Sequence, residues 1–505
     1  MWMLSCISLN LISQILFAKT YKSTGGEYAS SVVQTADGGY ACAGIISGAG
    51  GTDFLVLKIG GYGELQWAKV FAGPNKDYAR CIIRTSDGGY AVAGATLSFS
   101  AGDSDLVILK LEPSGELQWA RSFGGPYGDG ASAIIQTSDE GYLLAGGTMS
   151  FGAGNSDLLV VKLGPAGDFQ WAKTFGGPFY ADAACSAIQT YDGGYLIGGW
   201  TNSFPPSALS FLLIKLSAAG DLEWAKSFSG TGYAYSMIQT SDGGYTLAGR
   251  TSAYAVSGWD FMVLKLDGSG NPQWARTFGG DAYACEDWAY SIIQSNDGGY
   301  FVVGGTTCFG AGGWDILILK LDADGNLQQA RTFGGASNDC AYSVIQAPDG
   351  GCVLAGETYS FGPNNDLLIL KIGPDGNYPG CLTECQPTLT APGLQTLLPS
   401  LSVSFPSGGA DCTPTVTTPN LTVTDVCTPV GLEESDLLPG TRITCSPLSG
   451  GLLFNSPADL IINIYSVDGR AVYSGQLRQG ENRISLGRGV YLWIAGGYMG
   501  KAAVR

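Results

Sequence analysis

Four side chains in this sequence have the chemistry of a site for a sugar or another polar ring. Trp200 offers an aromatic face, Arg250 a cation and Glu357 a carboxylate, and the three occupy one equivalent position in three copies of a repeated segment. Trp288 adds a second aromatic side chain beside two carboxylates. Aromatic faces stack on sugar rings, and carboxylates accept hydrogen bonds from sugar hydroxyls. These residue types predict a ligand site; the alternative is neutral variation on a rigid scaffold.

The sequence contains no histidine. This absence excludes Ser-His-Asp and Cys-His catalytic groups and every histidine-ligated metal site. Glycoside hydrolysis requires only a pair of carboxylates, yet nothing in the spacing selects a pair such as Glu286 and Glu357. We therefore assign no catalytic residue, and we predict neither a cofactor nor a metal site.

The composition is that of a turn-rich globular protein. Of 505 residues, 45% are hydrophobic and 77 are glycine, which suits an all-β protein. The net charge of −17 disfavours nucleic acids and anionic membrane surfaces as partners, because like charges repel. There are 13 cysteines and no CxxC pair; without Cys6 of the apolar leader an even number remains, which is compatible with disulfides in an oxidising compartment.

An aspartate followed by Gly-Gly or Glu-Gly recurs along the first three-quarters of the chain. Successive copies lie 50, 52, 53, 50, 55 and 52 residues apart. A period near 50 residues with internal turns is typical of β-propeller blades. The seven aspartates are Asp37, Asp87, Asp139, Asp192, Asp242, Asp297 and Asp349.

Within one copy the pattern predicts four short antiparallel strands. In the second copy these are Cys81–Thr85, Tyr90–Thr96, Asp105–Leu111 and Leu117–Phe123. The repeated aspartate lies in the first turn, where its side chain can hydrogen-bond the nearby backbone. We therefore interpret the seven equivalent aspartates as turn formers rather than catalytic groups. The aspartates that open the third strand receive the same structural interpretation.

The ends of the repeat array indicate a closed ring. The fourth strand has the pattern WA(K/R)-x-(F/Y), with Gln329 replacing the tryptophan in the sixth copy, and the seventh copy lacks this strand. A matching segment, Phe17–Tyr21, precedes the first copy. We predict that it completes the seventh blade and leaves no free sheet edge. The fold class predicted for residues 19–380 is therefore an all-β, seven-bladed β-propeller.

In a repeat protein, function is expected where the copies differ. The residue that follows the Ala-Gly or Gly-Gly pair of the second strand varies from copy to copy, and we predict that the seven positions form a ring around the propeller. Trp259 and Trp314 share one equivalent position in two copies, so packing explains them better. The predicted ring residues are Ile45, Ala95, Gly147, Trp200, Arg250, Thr306 and Glu357.

Two further segments flank the repeats. Residues 1–18 form an apolar leader with the hydrophobicity of a signal peptide, although cleavage after Ala18 would shorten the strand at Phe17–Tyr21. Its length does not fit a membrane span. Residues 381–430 are rich in threonine and proline and contain four cysteines, which predicts an extended linker.

The last part of the chain, residues 431–505, has alternating strands and an Asp-Gly hairpin turn. Its segments IINIYSVDGRAVYSG and GENRISLGRGVYLWIAGGYMGKAAVR resemble the C-terminal sorting domain of the type IX secretion system. That resemblance implies a small C-terminal β-sandwich that directs export across the outer membrane. The matching positions are Ile464, Tyr465, Gly469, Arg470, Gly489, Val490, Tyr491, Lys501 and Arg505. The seven copies are separately similar to the DGGY repeats of secreted bacterial propellers, which implies fold more than activity.

These features predict a protein that is secreted or held on the outer-membrane surface. Its expected partners are the type IX machinery and an extracellular glycan or surface protein, with no nucleic acid and no membrane span in the mature chain. The first hypothesis is a non-catalytic binding or adhesion scaffold. The alternatives are a carbohydrate-active enzyme, such as an endoglucanase-like glycoside hydrolase that uses carboxylates, and a structural component of an extracellular layer.

Overall fold

The computed structural model describes the repeat array and, beyond it, a set of strands. The described residues are 16–390, except 49–50, 178–179, 204–208, 229, 257, 283–284 and 379–380, together with the strands named below within 396–504. Every regular element in this part of the chain is a β-strand.

Seven four-stranded antiparallel sheets, the blades, follow one another along the chain. The first strands of blades 1 to 7 are β2 (Glu27–Gln34), β6 (Asp77–Arg84), β10 (Asp129–Gln136), β14 (Asp182–Gln189), β18 (Tyr233–Gln239), β22 (Asp287–Gln294) and β26 (Asp339–Gln346). The second strands are β3 (Tyr40–Gly48), β7 (Tyr90–Thr96), β11 (Tyr142–Thr148), β15 (Tyr195–Thr201), β19 (Tyr245–Thr251), β23 (Tyr300–Thr306) and β27 (Cys352–Thr358).

The outer half of each blade completes the sheet. The third strands are β4 (Gly51–Ile59), β8 (Asp105–Leu111), β12 (Asp157–Leu163), β16 (Ser210–Leu216), β20 (Asp260–Leu266), β24 (Asp315–Leu321) and β28 (Asp366–Ile372). The fourth strands of blades 1 to 6 are β5 (Leu65–Ala72), β9 (Leu117–Phe123), β13 (Phe169–Gly176), β17 (Leu222–Phe228), β21 (Pro272–Gly279) and β25 (Leu327–Phe333).

The ring is closed by the start of the chain. Strand β1 (Phe17–Lys22) pairs antiparallel with β28, from Phe17 opposite Lys371 to Tyr21 opposite Leu367. First strands of adjacent blades contact one another all the way round, including blade 7 with blade 1. The predicted seven-bladed propeller with a borrowed last strand is therefore confirmed. The strand begins inside the predicted leader, since Phe17 and Ala18 are buried in blade 7.

The core lies between neighbouring blades. All seven residues of β8 are buried, which explains its nearly continuous apolar sequence. Leu106 and Ile108 of this strand belong to the same hydrophobic cluster as Leu144 and Val161 of blade 3. Truncation of a buried leucine in such a layer costs about 2–5 kcal/mol, because the cavity is only partly refilled.

A tryptophan on the fourth strand joins each blade to the next in most of the ring. Trp119 lies edge-on to Tyr142 of blade 3, with ring centroids 5.7 Å apart. It also covers Gly167, in the turn between the third and fourth strands of that blade. Gly167 has a φ of +79°, and a Cβ there would lie 2.8 Å from the indole ring. Backbone conformation and the neighbouring ring therefore both require glycine at this turn.

The segment predicted as a linker adds one short outer strand to every blade. These strands pair with the fourth strands of blades 6, 5, 4, 3, 2 and 1 in that order, and finally with β1 of blade 7. We call this series the belt. It consists of β29 (Thr383–Glu384), β30 (Thr388–Thr390), β31 (Thr396–Leu397), β32 (Ser402–Ser404), β33 (Ala410–Asp411), β34 (Thr415–Thr417) and β35 (Thr422–Cys427).

Residues Val430–Arg505 form a separate compact unit. Its strands form two antiparallel sheets, ordered β36-β37-β40 and β39-β38-β41-β42. The strands are β36 (Thr444–Leu448), β37 (Gly451–Ser456), β38 (Leu460–Ser466), β39 (Ala471–Leu477), β40 (Gly480–Ser485), β41 (Gly489–Ala495) and β42 (Tyr498–Val504). Of the predicted sorting motif, Gly469, Arg470 and Arg505 lie outside the described residues, and the other positions fall on β38, β41 and β42. The sandwich and its sorting role stay predictions.

Candidate functional site

The two ends of the blades differ, and we name them separately. The turn rim carries the Asp-Gly-Gly turns between first and second strands. The loop rim, at the opposite end, carries the loops between second and third strands and the connections between blades. Because strands alternate in direction, the first strand of each blade starts at the loop rim and ends at the turn rim.

At the turn rim each repeated aspartate binds groups of its own blade. The Asp242 carboxylate accepts hydrogen bonds from the Thr240 hydroxyl at 2.5 Å and from the Gly244 N–H at 2.9 Å, and it pairs with Lys265 at 2.9 Å. Partial burial raises the pKa of Asp242, but the bonds from Thr240 and Lys265 outweigh this effect and lower the pKa to about 2. These contacts fit a turn former.

The lysine partners were missed by the sequence analysis. Each blade places one lysine near the end of its third strand, where it reaches the aspartate of the same blade. Their side chains are only 2–15% exposed. A lysine in an otherwise apolar strand of every copy is the sequence signal that could have revealed them. They are Lys58, Lys110, Lys162, Lys215, Lys265, Lys320 and Lys371.

Near the loop rim, Arg250 lies among aromatic rings of blades 5 and 6. Its Cζ atom is 3.7 Å from the ring centroid of Trp288 and 4.6 Å from those of Trp259 and Tyr233. The Tyr235 ring is 5.8 Å away. A guanidinium group over aromatic faces is held by the attraction between cation and ring quadrupole. The structure therefore brings two of the predicted residues, Arg250 and Trp288, into direct contact.

Trp200 contacts the same group through one intermediate ring. Its indole lies edge-on to Tyr233, with centroids 5.1 Å apart, and Tyr233 also contacts Arg250. Trp259 contacts both Tyr233, at 5.8 Å, and Arg250. Trp259, interpreted from the sequence as a packing residue, is therefore part of the group around the cation.

Glu357 joins this group at its far side. Its carboxylate accepts hydrogen bonds from the Tyr342 hydroxyl and from Asn365 Nδ2, the latter at 2.7 Å. The Tyr342 ring lies 5.1 Å from that of Tyr290, which lies 6.2 Å from Trp288. We call the connected rings the aromatic cluster. Its members are Tyr28, Trp200, Tyr233, Tyr235, Trp259, Trp288, Tyr290, Trp314 and Tyr342.

The predicted ring of variable residues requires one correction. In the β-sheet register, Arg250 lies opposite Tyr233 and Glu357 lies opposite Cys340. Cys340 is the second residue of the first strand of blade 7, and Tyr233 is the equivalent residue of blade 5. In blade 6 the residue in that register is Gly305, which pairs with Trp288. Thr306 lies one residue further along and was assigned by a shift of one. The absent side chain at Gly305 leaves room for Trp314, whose ring is 2.9 Å from the place of a Cβ.

The cluster is unevenly distributed around the ring: most of its members belong to blades 5, 6 and 7, and blades 2 and 3 contribute none. Blades 5, 6 and 7 each carry a tyrosine at one equivalent position of the first strand, two residues after the position of Trp288. These tyrosines are Tyr235, Tyr290 and Tyr342. The same register in blades 1 to 4 carries Ser30, Arg80, Ser132 and Cys185. A tyrosine at this register in three consecutive copies was the available sequence signal, and it was missed.

Two polar atoms at the centre of the site have unused hydrogen-bonding capacity. Nε of Arg250 and Nε1 of Trp288 are buried donor atoms without a hydrogen-bond partner. Burial raises the pKa of Tyr235, Tyr290 and Tyr342, so their hydroxyls stay protonated at neutral pH. The arrangement can therefore offer aromatic faces, hydroxyl groups and a cation to a ligand, as the sites of polar ring compounds do.

No protein-family model and no curated protein matches the chain. Among solved structures, the WD40 domain of Neurospora crassa Pan2 is 11% identical, with a TM-score of 0.42, and the alignment covers 68% of this chain and 89% of that one. A protein of unknown function from Bacteroides caccae is 14% identical, with a TM-score of 0.31, covering 52% of this chain and 93% of that one.

A third similar structure is PorZ, described as an essential bacterial surface component of the type IX secretion system of Porphyromonas gingivalis. It is 12% identical, with a TM-score of 0.29, and the alignment covers 93% of this chain and 69% of that one. Similarity at this level carries no argument about function. Among the described residues, no helix is long and apolar enough to cross a membrane.

Proposed function

We propose that the protein is a secreted or cell-surface β-propeller that binds an extracellular glycan without cleaving it. The observation that carries the proposal is the aromatic cluster around Arg250, which is densest in blades 5 and 6. Seven blades with the same strands place equivalent residues at equivalent positions. Packing of the scaffold therefore accounts for features shared by all blades, but not for rings concentrated in a few of them.

The chemistry of the cluster suits a sugar. Trp200, Trp288 and Arg250 are each partly exposed, so part of each side chain is within reach of a ligand. Rings stack on the apolar face of a sugar, while hydroxyl and guanidinium groups satisfy its polar edge. The contacts of Arg250 with the rings also hold its side chain in place, which lowers the entropy lost on binding.

Binding is favoured over hydrolysis by the surroundings of Glu357. Both of its carboxylate oxygens accept hydrogen bonds from protein groups, Tyr342 and Asn365. A carboxylate held in this way positions its neighbours, whereas a glycosidase needs two carboxyl groups directed at the scissile bond. We therefore assign Glu357 to holding Tyr342 at the edge of the cluster.

The binding proposal is tested with the purified full chain on a glycan array. We expect Trp288→Ala and Arg250→Ala each to weaken binding by about tenfold or more, equivalent to about 1.4 kcal/mol. The matched control is Tyr78→Ala. Tyr78 occupies in blade 2 the position that Trp288 occupies in blade 6. Unchanged binding in both cluster variants would overturn the site. Binding only to a surface protein would replace the glycan, and sugar release that Glu357→Gln abolishes would indicate a hydrolase.

We also propose export by the type IX machinery. Support comes from the order of the IY-x-x-x-GR hairpin and the GVY segment, and from the separate compact unit at Val430–Arg505 that contains them. Removal of this unit should retain the protein in the periplasm of a host with type IX secretion. Normal appearance of the shortened chain in the medium would refute the sorting role and leave the glycan proposal standing.

A further inference from the structure

Acidic side chains meet in pairs where adjacent blades join at the loop rim. One member opens the third strand of a blade, and the other opens the first strand of the next blade. Their electrostatic interaction is mutual repulsion, which opposes ionisation. The pairs are Asp53 with Asp77, Asp105 with Asp129, Asp157 with Asp182, Asp260 with Asp287, Asp315 with Asp339, and Asp366 with Glu27.

The pair between blades 2 and 3 shows the geometry. Asp105 and Asp129 are each 3% exposed, and the Asp129 N–H donates to the carbonyl of Ser104 at 2.6 Å. Gly124 separates the two carboxylates. A Cβ on Gly124 would lie within 3.0 Å of both Asp105 Oδ1 and Asp129 Oδ2. Glycines at the same place separate the pairs of the next junction and of the junction between blades 6 and 7.

One oxygen of each carboxylate is satisfied, and the other is not. Oδ2 of Asp105 accepts from the Ala101 N–H at 3.0 Å, and Oδ2 of Asp129 accepts from Gly125 N–H and the Ser150 hydroxyl. Oδ1 of both residues is buried without a hydrogen-bond partner. Oδ1 of Asp157 and of Asp260 is likewise buried without a hydrogen-bond partner, whereas Thr201 and Thr306 hydrogen-bond the carboxyl groups of Asp182 and Asp287. Buried carboxylates are normally paired with a positive charge or bound to a metal.

The two exceptions among the junctions show that the pair behaves as a unit. Between blades 4 and 5 both acids are absent together, with Ser210 opening the third strand and Gly232 preceding the first strand. Between blades 7 and 1 the pair is present, and Lys22 supplies a positive charge with its Nζ 3.9 Å from Asp366 Oδ2. At these two junctions the carboxylates are thus either absent together or accompanied by a cation of the chain.

We propose that the carboxylate pairs between blades 2 and 3, 3 and 4, 5 and 6, and 6 and 7 bind hard divalent cations of the calcium type. Between blades 1 and 2 both oxygens of Asp77 already accept hydrogen bonds, from Thr96 and from Ser98. Calcium prefers carboxylate and other oxygen ligands and accepts water in the rest of its coordination shell. An ion between two blades joins the third strand of one to the first strand of the next, which are otherwise linked there by backbone hydrogen bonds and packing. The inference does not depend on glycan binding, because the pair of Asp105 and Asp129 lies between blades 2 and 3, which contribute no ring to the aromatic cluster.

The test uses the full chain, freed of metal with a chelator and then dialysed against Ca²⁺ at pH 8. Bound calcium is counted by elemental analysis, and thermal melting is compared with and without the ion. We expect several ions per chain and a melting temperature raised by about 2 °C or more. Burial, with the nearby Asp129, raises the pKa of Asp105 to about 6, so the proton is the competing occupant.

Variants at one junction assign the site. The double change Asp105→Asn and Asp129→Asn should reduce bound calcium by one ion per chain, while Asp103→Asn, an exposed neighbour, should leave the count unchanged. The wild-type count decides the proposal even where the double variant does not fold. The proposal is overturned if the wild-type chain binds no divalent cation and melts identically with chelator, or if stabilisation follows acidification alone, which would identify a shared proton.

Discussion

The turn rim and the loop rim are built from the same seven repeated segments, yet the surroundings of their acidic side chains are opposite. At the turn rim each aspartate faces a lysine of its own blade, as Asp139 faces Lys162 at 2.9 Å. At the loop rim carboxylates are buried beside one another, as Asp105 and Asp129 are. The turn-rim contacts recur in every blade and so serve the fold, whereas the aromatic residues of the loop rim differ from blade to blade. Variation within a repeated scaffold therefore directs attention to the loop rim.

Deletion of Phe17–Lys22 removes the fourth strand of blade 7 and should therefore open the ring. Of the changes considered, we expect it to reduce the stability of the protein most. It removes the strand opposite β28 and with it the buried rings of Phe17 and Tyr21. Loss of one large buried side chain costs about 3–5 kcal/mol, and whole domains are stable by only about 5–15 kcal/mol. We expect aggregation or a melting temperature lower by about 10 °C or more in calorimetry. Melting like that of the parent would contradict ring closure.

A smaller effect, confined to stability, is expected at the turn rim. Asp242→Ala removes the partner of Lys265, whose side chain is only 4% exposed. We expect a loss of about 2 kcal/mol in the free energy of unfolding, measured by urea denaturation, because a buried cation loses its counter-charge. Glycan binding should not change. The control, Asp242→Asn, keeps the turn hydrogen bonds and should cost less; equal losses would show that the charge is unimportant.

The reverse result is expected at the loop rim. Arg250→Ala should change the free energy of unfolding by no more than about 1 kcal/mol, because its side chain is partly exposed and has no carboxylate partner among its described contacts. Binding should fall by about tenfold or more. Binding is measured by titration and stability by denaturation. If Arg250→Ala lowered both to a similar extent, the two rims would not differ in function.

The carboxyl groups of the two rims should also affect the free energy of unfolding in different pH ranges. The effect per residue is the smallest of those expected here. The pKa values of Asp37, Asp192, Asp242 and Asp297 are lowered to about 2, so their contribution is present above pH 4 and is lost as the pH falls towards 2. Burial raises the pKa of Asp260 to about 6 and that of Asp287 to about 7. In chelator, stability should therefore also fall as the pH rises from about 4 to 7. Urea denaturation from pH 2 to 8 would reveal a single plateau if this were wrong.

The sequence predicts what is local and repeated, and it fails where distant segments meet. The period and the orphan strand at Phe17 were sufficient for the closed propeller, because hydrophobic alternation and turn residues act over a few positions. The pairing of Asp105 with Asp129 depends on two blades and has no local pattern. The belt strands are two to six residues long and lack alternation, so their composition indicated a linker.

For the site, the sequence predicted the variable residues but not their neighbours. Trp200, Arg250, Trp288 and Glu357 stood out because they differ from the other copies. Their connection runs through tyrosines of the first strands, such as Tyr233, which aromatic contacts reveal only in three dimensions. The one-residue error at Thr306 arose because blade 6 has valine where the other copies have alanine or glycine before the paired glycine.

The belt gives the propeller a direction of mechanical weakness. Its strands follow the blades in reverse order, so tension applied beyond residue 427 reaches β35 on blade 7 first, then β34 on blade 1, and β29 on blade 6 last. Each strand is antiparallel to its partner and two to six residues long, so few hydrogen bonds resist the load at any moment. A pulled chain end would therefore release its strands one blade at a time, as a series of small extensions.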